Sequence, residues 1–96
     1  MKKNELFKLL EPLTVEHFSR PHQGLNKGKD WPDCFNLGFK RSEGQNVFTR
    51  TNRYGVLQVY ATGKAGEVVK DILGKEKEIR ENGQGGTLYC YWELVE

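Results

Sequence analysis

Residues 35–62 read FNLGFKRSEGQNVFTRTNRYGVLQVYAT, three alternating segments separated by two turns. Phe35, Leu37 and Phe39 alternate with Asn36, Gly38 and Lys40, and residues 47–51 and 56–62 alternate in the same way. A period of two is that of strands buried on one face. The opposite face is then left to present side chains to a partner. Residues 42–45 make the first turn and residues 52–55 the second, where Gly55 suits the left-handed position closing a type I turn with a bulge. This second turn leaves two registers open. If Thr51 pairs with Val56, Phe48 joins Leu57 and Val59 inside. If Asn52 pairs with Val56, Val47 goes inside while Phe48 and Arg50 point outward, because a one-residue slip exchanges the faces.

Before this stretch, Leu6, Leu9, Leu10 and Leu13 recur at helical spacing with Phe7 widening the apolar face, which predicts a helix capped by Asn4. Pro12 has no N–H to donate, so the helix breaks at Glu11 and a second short turn carries Val15 and Phe18. From about residue 19 to 34, two prolines, two glycines and scattered charge predict a mobile or binding loop. Its Trp31 either plugs the core or anchors a partner.

After the three strands, Thr62 caps a second helix with the stripe Ala65, Val68, Val69, Ile72, Leu73 and Ile79, and Asn82 with Gly83 stops it. The final strand begins near Thr87. Leu88, Cys90, Trp92 and Leu94 face one way, while Tyr89, Tyr91 and Glu93 face the other. The reading is a single α+β domain over residues 1–96, of order α-β-β-β-α-β, an antiparallel sheet with both helices packed on one face.

Composition narrows the function classes. Ninety-six residues with 29% charged and 11% aromatic side chains form one core, with little room for a deep catalytic cleft. The net charge of +2 divides unevenly: residues 1–53 carry +4 and residues 54–96 carry −2. That asymmetry fits an anionic partner weakly. Lys8 and Glu11 interrupt any signal-peptide core, and no membrane-length apolar run occurs. Cys34 and Cys90 then read as reduced thiols in a cytoplasmic protein.

Chemistry-bearing patterns are sparse. His17, His22, Cys34 and Cys90 lack the spacing of a zinc site, and no cofactor signature appears. A nucleophilic Cys34–histidine pair is the only enzyme reading, and nothing nearby stabilises a thiolate. Residues 62–66, Thr-Gly-Lys-Ala-Gly, fail the phosphate-loop pattern and read as a tight strand-to-helix turn. What remains is an aromatic and basic surface of Tyr60, Tyr89, Tyr91, Lys40, Arg50 and the loop around Trp31. Tyrosine and arginine dominate protein interfaces, so the expectation is a non-enzymatic regulator or inhibitor that docks on a protein or nucleoprotein. The alternative is a single-stranded nucleic-acid binder that stacks bases on the same rings.

Overall fold

The computed structural model describes residues 2–19, 33–81 and 88–95. Helix α1, Lys3–Leu10, runs into a 3-10 turn over Glu11–Leu13, the break that Pro12 imposes. The N-cap is Lys2 and not Asn4. Its carbonyl accepts from the N–H groups of Glu5 and Leu6, and no side chain caps the end. The Thr14 hydroxyl closes the turn by donating to the Leu10 carbonyl at 2.7 Å.

The next segment departs from expectation. Where a second helical turn was predicted, strand β1, Glu16–Ser19, runs antiparallel to β2, Asp33–Asn36, with His17 opposite Phe35 and Phe18 opposite Cys34. Ladder pairing with β2 overrides the weak local preference of Glu-His-Phe-Ser. Residues 20–32 of the anticipated loop, Trp31 included, lie outside the described residues.

Strands β3, Asn46–Thr51, and β4, Val56–Ala61, form a hairpin; β5, Glu78–Glu81, and β6, Leu88–Val95, complete the sheet. All neighbours are antiparallel, in the order β1-β2-β3-β4-β6-β5. The predicted α-β-β-β-α-β order is present in α1, β2, β3, β4, α2 and β6. Strands β1 and β5 are additions at the two edges.

The register question is settled by Asn52. Its side-chain oxygen accepts from the N–H of Tyr54 at 2.9 Å and of Val56 at 3.1 Å, and its own N–H donates to Val56 O. Thr51 therefore stands opposite Leu57. Val47 is inside, and Phe48 and Arg50 point outward, partly buried.

Helix α2, Gly63–Leu73, stops at Gly74, where φ is +86°, well before Asn82. Ile79 accordingly belongs to β5 and is 58% exposed instead of extending the helix stripe. Leu6 and Leu10 of α1 share one core with Ala65 and Val69 of α2, against Phe35, Val47, Leu57, Val59, Ala61 and Trp92 of the sheet. Both helices thus cover the same face, and the Trp92 indole N–H reaches Gly74 O at 3.0 Å. Among the described residues, no helix is long and apolar enough to cross a membrane.

Candidate functional site

The sheet face turned away from the helices collects the chemistry that the sequence suggested. Alternation in the observed register places Phe48, Tyr60, Tyr91 and Glu78 in one row across β3, β4, β6 and β5. The row on one side of it carries Arg50, Gln58 and Glu93, and on the other side Tyr89 stands opposite Arg80.

Tyr91 is the centre of this face, and solvent does not reach it. That corrects the expectation of an accessible tyrosine. The edge strand β5, which the sequence disguised as a helix end, brings the Arg80 guanidinium to 3.8 Å over the Tyr91 ring. Tyr60 tilts against it with centroids 4.7 Å apart, and Arg80 Nη1 lies 3.4 Å from the Tyr60 hydroxyl. The Tyr91 hydroxyl donates to Glu93 Oε1 at 2.7 Å and accepts from Gln58 Nε2 at 3.0 Å.

Charge on the face is largely paired. Lys77 Nζ donates to Glu93 Oε2 at 2.6 Å, and Arg80 Nε pairs with Glu78. The bond from Lys77, followed by that from Tyr91, holds the Glu93 carboxyl below its usual range. Glu78 raises the already high value of Arg80. Arg50 differs from both. It has no ion pair among the described residues, and its Nε and the Gln58 Oε1 across the ladder are buried without hydrogen-bond partners.

Burial, reinforced by donation to Glu93, pushes the Tyr91 hydroxyl from 10.0 up to about 12, with the Gln58 bond opposing. The folded state binds this proton more tightly than the unfolded chain. Its contribution to stability is therefore complete below pH 10 and falls away as pH rises toward 12. Alkaline difference absorbance should show a phenolate step near pH 12 that Tyr91→Phe removes; loss of an earlier step instead would contradict this packing.

The remaining candidates sort simply. Tyr60 and Tyr89 are half-buried on the outward face, as is Arg50. Lys40 is exposed, but it is not on the sheet: β2 ends at Asn36, and Lys40 leads into the 3-10 turn Arg41–Glu43. Phe48, Gln58, Lys77, Arg80 and Glu93 join the site without having been singled out. For Lys77 and Arg80 the missing signal was the β5 strand itself. His17 and Cys34 occupy opposite faces of the sheet, because each stands in a different cross-strand row. Among the described residues, no three metal-ligating side chains gather. No family model, curated protein or solved structure matches this chain.

Proposed function

We propose that this chain is a non-enzymatic binding domain whose outward sheet face docks on a protein partner and regulates or inhibits it. The observation carrying this reading is Arg50, a half-buried guanidinium beside Phe48 and Tyr60 that lacks a carboxylate partner among the described residues. An arginine among partly buried aromatics is the composition of an interface anchor, and an acidic or carbonyl group from the partner completes its hydrogen bonding. The expected contact set is Phe48, Arg50, Tyr60 and Tyr89, with Arg80 at its margin.

Single-stranded nucleic acid is the less favoured partner. Stacking needs an open ring, and Tyr91 is covered. Phosphate binding needs uncompensated cations, and Glu93 and Glu78 already neutralise Lys77 and Arg80.

A photo-cross-linking amino acid at position 60 tests the proposal. In lysate of the native host it should trap a protein adduct that disappears when Arg50→Glu is added. The same cross-linker at position 67, exposed on α2, should trap none. Equal adducts at both positions, or none at 60, would overturn the reading. A salt-sensitive complex with single-stranded RNA, seen by fluorescence anisotropy, would replace it with the nucleic-acid function.

A further inference from the structure

Strand β5 forms one edge of the sheet and pairs on one side only, with β6. No strand of the described residues lies along its other side, so the backbone groups aimed there are an open template for a further strand. All four of its side chains are exposed. Alternation places Glu78 and Arg80 on the outward face with Tyr91 and Tyr89, and Ile79 on the helix side with Cys90. Ile79 is 58% exposed, and Leu88, on the same side of the neighbouring strand, is 60% exposed.

The order of these side chains makes the edge complementary to itself. In antiparallel pairing about a two-fold axis through Ile79, Glu78 of each copy stands opposite Arg80 of the other, and Ile79 meets Ile79 at the axis. The neighbouring registers are repulsive. An axis on Glu78 or on Arg80 sets that charge against itself, an axis between Ile79 and Arg80 sets Glu78 against Glu81, and one between Glu78 and Ile79 sets Lys77 against Arg80. Like charges directly opposite destabilise a ladder, so charge selects the single register centred on Ile79. Both charges keep capacity for it. Arg80 uses Nε on its own Glu78 and turns Nη1 toward Tyr60, which leaves donors over from its five, and Glu78 is engaged through Oε1 alone.

We propose that β5 pairs with β5 of a second copy of this chain in that register, joining two sheets into one. The occupant is a second copy because Glu-Ile-Arg is its own complement when read antiparallel. The opposite edge provides the contrast: β1 reads Glu-His-Phe-Ser, and its one carboxylate meets no lysine or arginine in any self-pairing of that strand. Pairing through β5 sets the two outward faces side by side and brings the second copy's Glu78 to the margin where Arg80 covers Tyr91. Four residues and two exposed ion pairs make a weak, salt-sensitive dimer. The pairing does not depend on what the outward face binds, and each reading stands or falls without the other.

The test is sedimentation equilibrium of the intact protein from micromolar to millimolar concentration at low salt, with nuclear magnetic resonance on a mixture of isotope-labelled and unlabelled protein. A monomer–dimer equilibrium should appear, and isotope-filtered contacts between copies should join Ile79 to Ile79 and Glu78 to Arg80. Glu78→Arg sets arginine against arginine at both ends of the ladder and should weaken the dimer at least about tenfold. Glu67→Arg makes the same change of charge on the exposed face of α2 and should leave the dimer intact. Both substituted residues are exposed, and unchanged amide shifts in β3 and α2 verify the fold. A monomer at millimolar concentration, contacts between copies that leave out β5, or equal weakening by Glu78→Arg and Glu67→Arg overturns the proposal.

Discussion

Gly63→Ala should be strongly destabilising, by about 2–5 kcal/mol. Gly63 has φ +50°, and a Cβ there would lie 1.8 Å from the Glu43 carbonyl oxygen. The contact is reciprocal: Gly44, at φ +78°, would place its own Cβ 2.4 Å from Thr62 O. Together they let the turn after Arg41–Glu43 press its backbone against the joint where β4 passes into α2. Glu43 and Lys64 bridge the same joint at 3.7 Å. Left-handed backbone costs an alanine about 1–2 kcal/mol, and displacing a packed segment adds about 1–3 kcal/mol. The sum, about 2–5 kcal/mol, is a large share of the stability of a small domain, about 5–15 kcal/mol. Gly55→Ala is the internal control. Its φ is +78° with nothing within 4 Å of the added carbon, so only the backbone penalty of about 1–2 kcal/mol applies. Urea denaturation of the two variants should separate them clearly; equal losses would mean that the close approach is not tight.

Tyr91→Ala should be the most damaging change on the sheet's outward face. It removes a fully buried ring from beneath Arg80 and Tyr60, and large-to-small aromatic changes cost about 3–5 kcal/mol. Tyr91→Phe keeps the ring and deletes the hydroxyl that joins Gln58 to Glu93. Leaving those groups without it costs about 1–3 kcal/mol, or a fall in Tm on the order of 5–20 °C for a domain of this length. Thermal unfolding by circular dichroism measures both. If Tyr91→Ala proves no worse than Tyr91→Phe, the ring is not seated as described.

Much of this architecture was legible because alternation is a strong signal when a strand has one buried face. Leu57, Val59 and Ala61 announce β4, and Leu88, Cys90, Trp92 and Leu94 announce β6. The edge strands carry no such signal. Glu16–Ser19 and Glu78–Glu81 are four residues each and almost entirely exposed, and they read as a short turn and as the end of the second helix. Their pairing energy comes from the neighbouring strand, which a local pattern does not contain. Missing β5 also hid the burial of Tyr91, since the covering guanidinium belongs to that strand. Lys40 was misplaced for a related reason: Leu37 and Phe39 keep alternating after the ladder itself stops at Asn36. The faces of Phe48 and Arg50 hinged on Asn52, whose side-chain bonds to two backbone N–H groups fix the turn. An asparagine opening a turn has that capacity by chemistry alone, and with Gly55 in the left-handed position it fits the observed register.

The strand order has a consequence in time. Strands β1 to β4 form a meander in which every pairing joins consecutive strands, so each closes as a hairpin. Strand β6 reaches β4 only after the excursion through α2 and β5. Loop-closure entropy makes the longer return slower than the local hairpins. On this topology the meander is expected to form first and β6 to dock later, bringing Trp92 to the end of α2 and Tyr91 between Tyr60 and Arg80. Before that docking Leu57, Val59 and Ala61 would lie on an open edge strand, so β6 is the element expected to shield this part of the core from water.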